Sequence, residues 1–150
     1  MTLLDAPVYD EARARKRRNL LIGLGVLAVI LAGLAWNFWY YPQEQKVNEF
    51  FAAVEAKDFP KAFAIWNNDP DWQKHPDKYP LYPYGKFVVD WGPSSDFGVI
   101  TSHKILLHKP YGTGVVYQVQ INGRPAPGGV VHLWVEKKAK TLGFSPVQLE

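Results

Sequence analysis

The chain has 150 residues, of which 47% are apolar and 15% aromatic, a composition that excludes a polar disordered segment. Its formal net charge of +3 resides mostly in the first 19 residues, where five basic side chains face three acidic ones; after residue 41, 12 Lys and Arg stand against 11 Asp and Glu. That near-balance gives no sign of the basic face a nucleic-acid-binding domain needs, and the absence of cysteine excludes disulfides, thiolate nucleophiles and cysteine-held metals or clusters.

Residues 1–19 form a basic tail that ends in Arg15, Lys16, Arg17 and Arg18. The run Leu20–Tyr41 follows, and from Leu20 to Trp36 it carries no charge and no strongly polar side chain. About 20 helical residues cross a hydrocarbon layer of about 30 Å, so the pattern predicts a transmembrane helix over 20–41. Trp36, Trp39, Tyr40 and Tyr41 crowd its far end, where amphipathic rings favour the headgroup layer. The four basic residues before Leu20 predict contact with lipid headgroups. They also predict a cytoplasmic N-terminus, with the following domain outside a plasma (inner) membrane. A cleaved signal peptide is the rival reading. Its apolar core would be shorter, and the nearest small-residue site, Ala32-Gly33-Leu34-Ala35, runs into Trp-Asn-Phe-Trp rather than a polar start. Ala28 and Ala32 make a small-xxx-small pair that permits close packing against another membrane helix.

Residues 42–150 form the expected extracytoplasmic domain. Val47, Phe50, Phe51 and Val54 recur at helical spacing, which predicts a helix over 42–57 beginning at Pro42. Asp58 is placed to cap a second helix with Pro60 in its first turn, ending near Asn67-Asn68-Asp69-Pro70. Residues 71–85 mix Trp72, Tyr79, Tyr82 and Tyr84 with Pro76, Pro80 and Pro83, and read as a short helix or an irregular turn packed by its rings. Strands follow around 100–107, 114–121 and 130–137, with turns at 109–112, from Asn122-Gly123 and at 138–140, and a last short strand within 141–145. Alternation places Val115, Tyr117, Val119 and Ile121 on one face of the second strand, and Val131, Leu133 and Val135 on one face of the third.

The predicted fold class is therefore α+β: one transmembrane helix, then two to three helices packed on an antiparallel sheet of about four strands. The order of elements, and the stretch FFAAVEAKDFPKAFAIW ending at Trp66, resemble the opening of the NTF2-like (cystatin-like) family. That resemblance implies a cone with helices on one face of a curved sheet, and a pocket mouth where some members place an Asp/His pair.

No hydrolase elbow, zinc-binding helix motif, phosphate loop or dinucleotide fingerprint is present. Parity puts His103 with Ile105 and Leu107, and an acid–base pair of Asp90 or Asp96 with His103 and His132 is the enzyme reading. No two histidines have local metal-ligand spacing, so neither a metal nor a cofactor is expected. The expectation is a non-catalytic accessory or assembly subunit, tethered in the lipid bilayer and docked on a larger integral membrane protein or complex. Tyr79, Tyr82, Tyr84, Trp91 and Trp134 are the expected interface rings. A small-ligand site on the concave sheet face, lined by Trp91, Tyr117 and Trp134, is the alternative.

Overall fold

The computed structural model describes residues 10–150; the first nine residues of the expected tail, and the side chains of Tyr40 and Tyr41, lie outside the described ones. Helix α1 (Glu11–Glu55) is assigned without a break. It starts inside the basic tail, because Asp10 Oδ1 accepts the N–H groups of Ala12 and Arg13, each at 3.1 Å, and so caps the first turn. Arg15, Lys16, Arg17 and Arg18 therefore lie on the helix, all exposed. Two helices were expected where one is found: Pro42 sits inside α1 rather than at a new start. The stretch Glu11–Trp39 is long and apolar enough to cross a membrane, and its apolar side chains face outward, Val29 at 74% and Leu21 at 68% exposure.

Contacts divide the chain between Trp39 and Tyr40. Within Tyr40–Glu150, the part of α1 from Val47 to Val54 supplies the first side of the core. Helix α2 (Phe59–Asn67) follows a three-residue turn. Asp58 Oδ1 accepts the Lys61 N–H at 3.2 Å, and Asn68, in the left-handed region at φ 49, ends the helix. The connecting segment is built from two 3-10 turns, Trp72–Lys74 and Pro76–Lys78, and then helix α3 (Tyr84–Trp91).

Four strands form one antiparallel sheet in sequence order: β1 (His103–Tyr111), β2 (Gly114–Ile121), β3 (Val130–Glu136) and β4 (Leu142–Phe144). The β2 and β3 faces divide as alternation predicts, with Val115, Tyr117, Val119, Ile121, Leu133 and Val135 all fully buried on the helix side. Two details depart from the pattern. Strand β1 continues through Pro110 to Tyr111, so the expected turn shrinks to Gly112-Thr113, with Gly112 at φ 56. Pro110 costs the sheet nothing there, because β1 is an edge strand. A bulge between Ile105 and Leu107 leaves Leu106 out of register. Past it, Leu107 pairs with Gln118 on the outer face and His108 with Tyr117 on the inner face, so His103 does not share a face with Leu107.

The core is dominated by rings. Phe50 lies 5.1 Å from Phe51, 5.3 Å from Trp66, 6.0 Å from Phe87 and 4.9 Å from Trp91, mostly edge-on. It is fully buried and joins α1, α2 and α3 over the sheet. Each such pair adds about 0.5–1.5 kcal/mol beyond its burial. Replacing Phe50 by Ala should therefore destabilise this unit by about 3–5 kcal/mol. Exposed Gln73 replaced by Ala should cost within about 0.5 kcal/mol. Denaturant unfolding followed by tryptophan fluorescence compares the two, and equal midpoints would contradict the packing described.

Candidate functional site

The segment between α2 and α3 is held by Asp69. Its Oδ2 accepts hydrogen bonds from His75 Nε2 at 2.6 Å, Lys78 Nζ at 3.3 Å and the Tyr79 hydroxyl, while Oδ1 accepts the Asp71 N–H at 3.2 Å. The Tyr79 hydroxyl, followed by His75, holds the Asp69 carboxyl well below the usual carboxylate range. Desolvation, with Asp69 next, pushes the Tyr79 hydroxyl up, and the bond to Asp69 raises the Lys78 ammonium. This knot lets a proline-rich segment lie flat on the core.

The tyrosines of the segment are consequently lids on the core rather than protruding rings. Tyr79 packs edge-on to Phe63 at 5.6 Å, and Tyr84 lies 4.7 Å from Trp72. Tyr82 lies 5.7 Å from Trp66 and 5.9 Å from Phe144. All three are half-buried. Burial pushes the Tyr82 hydroxyl far up, helped by its 2.9 Å hydrogen bond to Asp90 Oδ2. Trp91, expected at an interface, is 1% exposed and stacks in parallel on Phe144 at 5.8 Å. Trp134 is half-buried on the opposite sheet face, where it pairs with Val116 and its Nε1 donates to the Tyr111 carbonyl at 3.1 Å. Its ring lies against Gly114, where an added Cβ would fall 2.6 Å from the indole and 2.3 Å from the Val135 carbonyl. Ala28 and Ala32 are exposed on the apolar stretch of α1.

The side chains that do face outward from this part of the domain are aliphatic or lie at its rim. Leu81, between the half-buried tyrosines, is 93% exposed; Val89 of α3 is 58% and Phe144 of β4 is 51% exposed. Val89 and Phe144 line an open groove with Phe97, Asp90, Asp96, Ser94 and Ser95. Sequence reasoning missed these three. The available signal was the phase of α3: Phe87 and Trp91 share its buried side, and Val89 falls out of step with them, with exposed Lys86 and Gly85.

The expected acid–base pair does not assemble. Asp90 is engaged by Tyr82, whereas His103 is engaged by α1: its Nδ1 faces Glu55 Oε1 at 2.5 Å, its Nε2 faces Asn48 Oδ1 at 2.9 Å, and its ring stacks on Phe51 at 4.9 Å. His132 lies on the outer face, with Nε2 3.4 Å from the Leu149 carbonyl. Nor do Trp91, Tyr117 and Trp134 line one pocket. Tyr117 and Trp91 are filled into the helix side, and Trp134 stands on the other face. Among the described residues no group of three His, Asp or Glu side chains converges as a metal-binding set.

No family profile, no curated protein and no solved structure matches the chain. The fold and the site define an α+β domain of helices on a four-stranded antiparallel sheet, behind one apolar N-terminal helix.

Because the folded Asp69 carboxyl lies below its ordinary value, its contribution to stability is complete above about pH 4 and is lost as pH falls through the lowered value. Asp69→Asn should lower the thermal midpoint at pH 7, and the deficit against the parent should shrink steadily below about pH 4. A deficit that stays constant down to acid pH would show that charge at Asp69 is not what holds the segment.

Proposed function

We propose that the chain is a membrane-anchored, non-catalytic accessory or assembly subunit whose domain docks on a larger integral membrane protein or envelope complex. The observation that carries this reading is the exposed apolar pair Val89 and Phe144, which line one groove, with Leu81 of the preceding segment also exposed, on a domain whose rings Phe50, Phe63, Phe87 and Trp91 are packed inward. Exposed aliphatic groups beside a polar rim, here Asp90, Ser94, Ser95 and Asp96, have the make-up of a contact surface. Two further observations favour docking over chemistry. The helix side of the sheet, where a ligand pocket would open, is occupied by Phe50, Phe63, Phe87, Trp91 and Tyr117. His103, the polar side chain at the start of β1 on that side, is engaged by Glu55 and Asn48 of α1.

In this reading the apolar part of α1 is a single membrane pass. The basic residues Arg15, Lys16, Arg17 and Arg18 support a cytoplasmic N-terminus with the domain outside the plasma membrane. The NTF2-like kinship remains part of the proposal, supported by the order of helices before strands; the bulged, filled sheet departs from an open cone.

The test is a gentle-detergent purification of tagged full-length protein from native membranes, with co-purifying chains identified by mass spectrometry. The parent should bring down a stoichiometric membrane protein. Leu81→Asp or Val89→Asp should reduce its recovery at least about tenfold, with the domain's unfolding midpoint nearly unchanged, since both side chains are exposed. Equal recovery with the variants would remove these side chains from the interface, and no partner under any detergent would sink the subunit reading.

A further inference from the structure

The unit Tyr40–Glu150 has two different ends. At one, Glu55 near the close of α1 meets His103 at the start of β1. At the other, hydrogen bonds tie four segments together. Lys46 Nζ donates to Asn68 Oδ1 at 3.0 Å, and Asn68 Nδ2 donates to the Ala139 carbonyl at 3.0 Å. The Lys137 N–H donates to the Thr113 carbonyl at 3.2 Å. The early turns of the domain's part of α1, the α2 cap, the β3–β4 turn and the β1–β2 turn therefore share one end.

That end gathers Lys46, Lys137, Lys138 and Lys140, the last two exposed. The acidic residues close by in sequence are Glu136, Glu44 and Asp69, and Asp69 is taken up by His75, Lys78 and Tyr79. The Glu136 carboxylate accepts the Ala139 N–H and so is folded into its own turn, and Glu44 leaves the end with a net positive charge. Two rings stand at the same end: Tyr111, 46% exposed, and Trp134, hydrogen-bonded to the Tyr111 carbonyl. Lysines beside amphipathic rings suit a boundary where one side is charged and wet and the other apolar.

We propose that this end is a collar that binds the headgroups of anionic phospholipid, with Lys138 and Lys140 as its outermost contacts. The inference rests on the reading of α1 as a membrane anchor. Five residues carry the chain from Tyr41, the last of the apolar run, to Lys46, so at most about 18 Å of extended chain separates them. The headgroup layer itself occupies about 5–8 Å on each side of the hydrocarbon. A tether this short allows the collar to reach a leaflet's charge, where each lysine gains about fivefold in association with an anionic surface. An anionic surface complements the exposed ammonium groups of Lys138 and Lys140, and a zwitterionic one carries no net charge to do so.

The test uses the full chain in lipid nanodiscs, which leave both bilayer faces open to reagent. Lysine acylation is followed by mass spectrometry in phosphatidylcholine alone and in phosphatidylcholine mixed with phosphatidylglycerol. Lys138 and Lys140 should be acylated at least about fivefold more slowly in the anionic discs, and high salt should abolish the difference. Lys57, exposed at the opposite end, should react equally in both. Equal rates at Lys138 and Lys140 in a chain that inserts normally would overturn the collar alone. Failure to insert would overturn the anchor reading and the collar with it. Shielding that appears in native membranes but in neither nanodisc would assign these lysines to a protein and overturn the lipid.

Discussion

The domain depends on the way one ring, Phe50, is surrounded. Phe51, Trp66, Phe87 and Trp91 close on it from the same helix, from α2 and from α3, and the buried faces of β2 and β3 complete the enclosure. Short helices of nine and eight residues have little stability of their own. They persist because their rings meet over a common centre, and the tyrosines of the intervening segment lie on top as half-wet lids pinned by Asp69 and Asp90.

That packing constrains function. An interior filled by rings has no room for a ligand, and the one histidine on the inner face with a nearby carboxylate is clasped between α1 and β1. What the domain can offer lies on its outside. Along one flank it presents aliphatic groups beside a polar rim, and at one end it presents lysines beside two rings. These two surfaces are what the proposed subunit reading rests on.

Much of the fold was legible because it rests on local rules. The apolar run stands out for length, Asp58 and Pro60 mark a helix start, and strict alternation fixes the faces of β2 and β3. What was not legible depended on distant contacts. Nothing local reveals that Leu106 is bulged out of register, which moves His108 to the inner face in place of Leu107. Trp91 reads like an interface ring until Phe144, far along the chain, is seen stacked on it. Tyr79, Tyr82 and Tyr84 read as interface rings from their number and their proline-rich setting. The Asp69 knot instead lays the rings down and turns out Leu81. Asn68, read only as a helix end, proves to be the junction between α1 and the β3–β4 turn.

The central claim is that the exposed strip on α3 and β4 is covered in the membrane the chain inhabits. Because the chain has no cysteine, a single one introduced at Val89 reports on that strip alone, with another at exposed Gln73 as reference. Maleimide labelling rates compare native membrane fragments, open on both faces, with the detergent-purified chain. The account predicts that Val89→Cys reacts slowly in the fragments and rapidly once purified, while Gln73→Cys reacts alike in both. Equal rates at Val89→Cys in the two preparations would contradict it.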